Sequence, residues 1–448
     1  MEQVLREGGF TAFHRKVVAI TGFAWTFVAF EIILIGLVLP VVGAEFGIFN
    51  LATFTATEPV LYGAIVSATL IGSFIGSLVL GRAADRMGRR PIFVACVLWY
   101  SVFTALTALS FNAASLFTFR LLAGLGLGGM LVVDPVLLSE YLPPQNRGRY
   151  MVFLDFFWPA GFLLAIAFWW VFIVTLGGAW RILFVVSAFP AFIAFLFRTT
   201  LPESPYFLAR KGKLKDAARV LEKISGRPTD ADTIAQEPTV PRAPVGDLFR
   251  GALRRRTAVT IVVWIALNFS YYGLFLWLPA ALAGFGIVLG TADLALFLVV
   301  SALAQFPGYG ASMVLVDRWG RKKTLATFLI LGGISGFVFA TATNVPTLIV
   351  GLIFVSFFNL GAWGAVYPYT SELFPTQHRA TGFGVAEGVG KVTAILGPIV
   401  FGILLLYGGG TTNPQAIILP LALIAAVMAI GGAIAGVFGP ETKGAAFA

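Results

Sequence analysis

The sequence is short of charge: Asp, Glu, Lys and Arg make up 12% of its 448 residues, where an ordinary soluble domain carries about 25%. That shortage excludes a soluble enzyme. Cysteine is nearly absent, and the single Cys96 sits inside an apolar stretch, which excludes a disulfide framework and a thiolate metal site. Histidine is limited to His14 and His378, read as solvated loop residues, and with no ligand cluster beside them no metal site is expected. No Gly-x4-Gly-Lys-Ser/Thr loop is present to cradle a nucleotide, so energy should come from a gradient and no cofactor is expected. The segment Met1–Lys16 is polar, carries Glu2 and Glu7 and is followed by no small-residue cleavage site, so it does not read as a removable signal peptide.

What the chain has in excess is apolar surface: 58% of residues are hydrophobic and the mean hydropathy is +0.90. Long apolar runs fall at 17–42, 60–80, 91–110, 114–140, 149–176, 180–199, 257–284, 292–316, 324–343, 346–372, 379–407 and 414–438. Each is long enough to cross a bilayer, which takes about 20 residues of helix. Gly and Pro recur inside them, as membrane helices tolerate. The reading is an all-α membrane protein with twelve transmembrane helices and both termini on one face. The net charge of +10 and pI of 9.8 then report topology. Of the 31 Lys and Arg, only Arg120, Arg181 and Lys391 fall away from the terminal face. Basic loops stay cytosolic, so a multi-pass plasma (inner) membrane protein with cytoplasmic termini is expected, with the lipid bilayer and no nucleic acid as its surroundings.

One polar insertion, 200–256, separates the halves 1–199 and 257–448. Within it, Tyr206 to Ile224 reads as an amphipathic helix resting on the membrane surface, with Leu214, Ala217, Leu221 and Ile224 on one stripe. Pro228, Pro238, Pro241 and Pro244 then stiffen a linker. The halves repeat each other. Asp85-Arg86-Met87-Gly88-Arg89-Arg90 returns as Asp317-Arg318-Trp319-Gly320-Arg321-Lys322, an offset of 232 (317 against 85). Ser139-Glu140 with Arg147 returns as Ser371-Glu372 with Arg379 at the same offset, and Asp155 is matched by Glu387. Pro202-Glu203-Ser204 is echoed by Pro440-Glu441-Thr442 at 238 (440 against 202). Two pseudo-symmetric six-helix bundles are implied, around a central site near mid-membrane.

These motifs resemble the major facilitator superfamily over nearly the whole chain. Its loop motif matches Gly81, Asp85, Arg86, Gly88, Arg89 and Arg90, whose charged groups lock adjacent helix ends in one conformer and release them in another. In the second copy Met313 replaces the leading Gly, so a looser turn is expected there. The fourth-helix motif matches Arg120 to Gly124, followed by Gly126, Gly128 and Gly129. That glycine run mimics a dinucleotide fingerprint, but no strand precedes it, and close helix packing explains it. Within the superfamily, Pro202-Glu203-Ser204-Pro205 and Pro440 to Gly444 are similar to sugar porters. Tyr271 to Pro279, Gln305-Phe306-Pro307-Gly308-Tyr309, and Phe357 to Gly364 with its Asn359 and Trp363 resemble the bacterial nicotinate transporters. These are relatives of the organic ion transporters and synaptic vesicle glycoproteins. Lys391 occupies the position where anion-transporting members carry an arginine, which implies a carboxylate ligand; Glu387 departs from the small residue usual there.

Ionisable groups inside membrane spans are functional candidates by default. Glu387 and Lys391, one turn apart, can neutralise each other until a substrate carboxylate takes Lys391 and a proton takes Glu387. Glu31, near the middle of the first span, and Arg120 are the candidates for proton coupling. Asp134 and Asp155, a few residues from the terminal face, are assigned to the gate with Asp85, Glu140 and Arg147, and Asp317, Arg318, Gly320, Arg321, Glu372 and Arg379 form its second copy. Trp158, Tyr271, Tyr272, Trp277, Trp363, Tyr367, Asn359 and Gln305 are the candidate cavity groups for a flat aromatic acid. The leading reading is a monomeric secondary transporter taking up a small organic anion with a proton. Transport of organic cations or sugars on the buried acids, and a non-transporting receptor on the same fold, stay open.

Overall fold

The computed structural model describes residues 1–48, 58–145, 147–190, 200–234, 244–285, 291–410, 413 and 415–443. Within these the regular elements are all helices. A short α1 (Glu2–Gly8) precedes α2 (Ala12–Phe46), α3 (Glu58–Met87), α4 (Arg89–Thr107) and α5 (Ala113–Tyr141). The fifth apolar run is made of α6 (Arg147–Asp155), α7 (Phe157–Trp169) and a π-helical turn, Trp170–Thr175. The described part of the sixth contains α8 (Trp180–Ser187), and residues 191–199 of that run lie outside the described residues. Two short helices, α9 (Pro205–Arg210) and α10 (Leu214–Ser225), occupy the linker. Pro238 and Pro241 also fall outside the described residues. The second half holds α11 (Gly251–Phe275), α12 (Leu278–Gly284), α13 (Thr291–Arg318), α14 (Arg321–Ala340), α15 (Val345–Leu373), α16 (Thr376–Tyr407) and α17 (Ile418–Phe438). Among the described residues, 11 stretches are long and apolar enough to cross a bilayer.

The sequence repeat is a structural one. Asn112 caps α5 by accepting from the Ser115 N–H at 2.8 Å, and Asn344 caps α15 by accepting from Thr347 at 2.9 Å. Each satisfies an amide that the first helical turn leaves unpaired. A Cβ at Gly76 of α3 would collide with the Leu125 carbonyl of α5, and one at Gly308 of α13 with the Phe357 carbonyl of α15. Both pairs obey the 232 offset. Gly124 and Gly128 likewise press α5 onto the Thr69 and Ser73 carbonyls of α3, so the glycine run is a packing surface.

Two expectations need correction. The apolar stripe of α10 does not lie on the membrane: Ala217, Leu221 and Ile224 are buried in one core with Leu5 of α1 and the start of α2. Thr11 donates to the Ile224 carbonyl at 2.9 Å, and Arg227 pairs with Glu7 at 3.5 Å. An amphipathic stripe records that something apolar covers it, and here α1 does. His14 is not solvated either. It is buried in the first turn of α2, with Nε2 donating to the Tyr141 carbonyl at 3.1 Å and Nδ1 accepting from the Thr11 N–H at 2.9 Å. His378 is also buried, 4.0 Å from Asp247.

On the face away from the termini the halves meet backbone to backbone. Gly63 of α3 abuts the Pro398 carbonyl of α16, and Gly402 of α16 abuts the Pro59 carbonyl of α3. Ser67 donates to the Ile395 carbonyl at 2.8 Å, and Gly36 of α2 faces the Leu276 carbonyl. Tyr62 donates to the Gly36 carbonyl at 3.0 Å, and its ring centroid is 4.5 Å from that of Trp277. Among the described residues this far side is closed.

Candidate functional site

Three sets of polar groups interrupt the apolar interior. The first joins α2 to α5. Arg120 Nη1 lies 3.1 Å from Glu31 Oε2, its Nη2 donates to the Glu31 carbonyl at 2.8 Å, and its Nε donates to Thr69 Oγ1 at 3.2 Å. Thr104 donates to Glu31 Oε2 at 2.9 Å, and the guanidinium lies 5.6 Å from the Phe184 ring centre. Both charged side chains are completely buried. The structure thus brings together the two residues singled out for proton coupling, in a pair whose separation would strand a charge at a cost of about 3–5 kcal/mol.

The second set lies between the halves. On α16, Lys391 Nζ is 3.1 Å from Glu387 Oε1, and the side chains keep 16% and 27% of their exposure. Both side chains are therefore mostly buried but not sealed off. Gly390 between them faces Asn268 and Trp264 of α11. Around the acid stand Tyr272 of α11 and Tyr367 of α15, both within its electrostatic reach. Tyr271 hydrogen-bonds the indole N–H of Trp158 across the halves. Asp155, expected at the gate, instead lies within electrostatic reach of Tyr309 and Tyr367, so it faces this cluster. It sits at a break in the span, where α6 ends at Asp155 and α7 begins at Phe157.

Sequence reasoning missed two members. Trp264 is the hub of the aromatic wall, with ring centres 5.8, 5.6 and 5.4 Å from Trp363, Tyr367 and Phe383. Tyr309 meets Phe156 of the other half at 5.8 Å. In a chain that is 14% aromatic, Trp264 did not stand out, and Tyr309 was noted only as the end of its motif, with no role assigned. Trp277 departs from expectation in the other direction. It sits between α11 and α12, donates to the Pro398 carbonyl at 2.9 Å and stacks on Phe401 at 4.7 Å, so it belongs to the far-side seal. Asn359 donates to Ser270 at 2.8 Å, while its Oδ1, both amide atoms of Gln305 and the Trp363 indole N–H are buried without a partner among the described residues. Such groups are available to a polar ligand.

The third set clamps the terminal face twice. Arg89 lies 2.9 Å from Asp85 and 3.3 Å from Glu140, and donates to the Ala84 carbonyl at 3.0 Å. Arg321 lies 3.3 Å from Asp317 and 3.0 Å from Glu372, and donates to the Val316 carbonyl at 3.0 Å. Gly88 and Gly320 take φ of 113° and 109°, so the second turn is no looser than the first. The residues not foreseen here are Glu203 and Glu441. Glu203 accepts from the Arg89 and Arg90 N–H groups at 2.9 and 3.3 Å, and Glu441 accepts from Arg321 and Lys322 at 2.9 and 3.4 Å. Burial raises the Glu441 carboxyl, but the N–H groups of Lys443, Lys322, Thr442 and Arg321 outweigh it and hold it below its ordinary value. The Pro-Glu-Ser and Pro-Glu-Thr echo was the signal. Arg86 and Arg318 stay on the surface, the Arg318 carbonyl accepting from Lys443 at 2.7 Å. Gly81 touches Val132 of α5, and Arg147 turns to Glu2 of α1 at 3.5 Å. Asp134 is outside the clamp, completely buried with both oxygens unpartnered among the described residues.

Residues 17–448 match the profile of the family described as "Sugar (and other) transporter". The chain belongs to that family. This chain aligns with the partially occluded, inward-open xylose transporter XylE of E. coli at a TM-score of 0.76. That alignment covers 97% of this chain and 100% of the other, at 19% identity, and speaks for the fold alone. The niacin transporter NiaP of Acinetobacter baylyi is 36% identical over 395 residues, 87% of this chain and 86% of that one. A putative niacin/nicotinamide transporter NiaP of Bacillus subtilis is 31% identical over 392 residues, 87% and 88% of the two chains. The synaptic vesicle 2-related protein of Xenopus laevis is 27% identical over 427 residues, 90% and 76%. This is a membrane transporter of the major facilitator superfamily.

Proposed function

We propose that this transporter takes up a small aromatic monocarboxylate of the nicotinate type together with a proton, by alternating access. The observation that carries the reading is the Glu387–Lys391 pair, an accessible ammonium 3.1 Å from an acid inside a wall of aromatic rings. A flat anion stacks on Tyr271, Tyr272 or Tyr367, and its carboxylate displaces Glu387 from Lys391. The unpartnered Trp363 N–H and the Gln305 amide supply neutral donors for the remaining polar edge. Two relatives named as niacin transporters support the substrate class.

In this mechanism a proton weakens the buried Glu31–Arg120 pair, which makes rearrangement of the first half depend on proton binding. Bundles 1–199 and 257–448 rock about the central cluster, and the clamps of Arg89 and Arg321 fasten or release the terminal face. The linker helices α9 and α10 pack on the first bundle, whereas Leu248 near the end of the linker packs into the core of the second. We place the terminal face in the cytosol and the protein, as a monomer, in the plasma (inner) membrane, on the strength of the basic loops. A second reading is favoured by Asp155, which with Glu387 gives the cluster two acids against one lysine: an organic cation or a sugar carried on those acids, by facilitation or export.

A thermal-shift screen of purified protein separates the two, because a ligand that binds only the folded state raises its melting temperature. Stabilisation by nicotinate and benzoate but not by neutral nicotinamide supports the carboxylate anchor. Stabilisation by choline or glucose alone rejects it.

A further inference from the structure

Among the described residues, the buried acid used by neither the Arg120 pair, the central cluster nor the clamps is Asp134. It shares α5 with Arg120 but lies about 21 Å nearer the terminal face by helical rise. Its carboxyl is completely buried and meets no cation, and neither oxygen has a hydrogen-bond partner among the described residues. A carboxyl in that setting is either the neutral acid or is reached by internal water. Tyr100 of α4 stands between it and the Arg120 pair: completely buried, and within electrostatic reach of both Asp134 and Glu31. One turn further along α4, Thr104 already donates to Glu31 at 2.9 Å. Polar atoms without a geometrically sound partner line the same interior, namely Glu31 Oε1, Ser73 Oγ and the hydroxyls of Tyr100 and Ser101. Of the titratable groups on α2, α3 and α4, Glu31, Cys96 and Tyr100 share this interior; Asp85 and Arg89 are bound into the terminal clamp. Arg120 is engaged by Glu31 and Thr69.

We infer that Asp134 is a second proton-binding group, exchanging a proton with Glu31 along the line of hydroxyls that Tyr100 marks. A proton on Glu31 loosens the Arg120 pair. Its transfer to an ionised Asp134 restores the Glu31 carboxylate beside Arg120 and leaves Asp134 neutral, the form that burial favours. Asp134 then loses the proton when the terminal face opens and water reaches it. Net movement is one proton from the Arg120 level toward the terminal face, with no other bond changed. This rests on the reading that Glu31 couples transport to protons.

The test combines infrared difference spectra of lipid-reconstituted protein with gradient-driven uptake of labelled nicotinate, for Glu31→Gln, Asp134→Asn and Tyr100→Phe. The expected result is loss of one protonated-carboxyl stretch in D134N, a shift of that stretch in E31Q, and loss of accumulation in D134N. Tyr100→Phe keeps both acids and decides the case should D134N misfold: slower accumulation with a displaced pH profile supports the inference. E31Q that still accumulates substrate overturns the coupling reading itself. E31Q that fails, beside D134N and Y100F with parental accumulation, pH profile and carboxyl stretch, overturns the role of Asp134 alone.

Discussion

Lys391 and Glu31 carry different burdens because they are buried to different degrees. The Lys391 side chain is 16% exposed and its partner 27%, so its pair resembles a partly screened surface pair, worth about 1 kcal/mol or less to folding. Lys391→Gln is expected to leave the melting temperature of the empty protein nearly unchanged and to erase the stabilisation by nicotinate, as a thermal-shift titration would show. Glu31 has no exposure at all. Glu31→Gln is expected to abolish accumulation against a gradient, measured in vesicles, while exchange of labelled for unlabelled substrate persists because it needs no net proton movement. Both residues stand out in the sequence as candidates because an ionisable group inside an apolar run is rare and costly. Trp264 and Tyr309 do not, since nothing in a sequence with 43 Phe and 10 Trp marks one ring as the hub. Trp277 was misplaced for a related reason: its motif straddles the break between α11 and α12, and the break sends it to the seal.

At the scale of elements, the loop between α3 and α4 and its copy between α13 and α14 were readable from their repeated charges, but the acids that cap them were not assigned to the gate. Glu203 and Glu441 come from chain segments remote in sequence and act on backbone N–H groups, which leave no side-chain pattern. Because the folded Glu441 carboxyl is held below its ordinary value, its contribution to stability is present above the unfolded carboxylate value and is lost as pH falls through the folded one. Melting temperature should therefore decline on acidification in that range, and Glu441→Gln should reduce the decline. The amphipathic stripe of α10 was legible as a stripe, yet its cover was not. Periodicity fixes which face is apolar and says nothing about whether lipid or α1 lies against it.

For the molecule as a whole, the repeat at 232 (317 against 85) carried the architecture, since equivalent caps and glycine contacts recur at that spacing. The closed far side was not legible, because a sequence does not record which conformer the chain holds. That closure depends on contacts only a glycine allows. Gly63→Trp is expected to wedge α3 off the Pro398 carbonyl, leave the far side open and stop exchange. A cysteine placed at Ser67, whose hydroxyl now meets the Ile395 carbonyl, should become reactive to an impermeant reagent in that variant and stay protected in its parent.

Proton-coupled uptake is measured as accumulation of labelled nicotinate in proteoliposomes under an imposed inward proton gradient. The expected result is accumulation above the external concentration, collapse of that accumulation by a protonophore, and competition by benzoate but not by nicotinamide. Uptake that merely equilibrates, or that ignores the proton gradient while choline or glucose is carried, would contradict it.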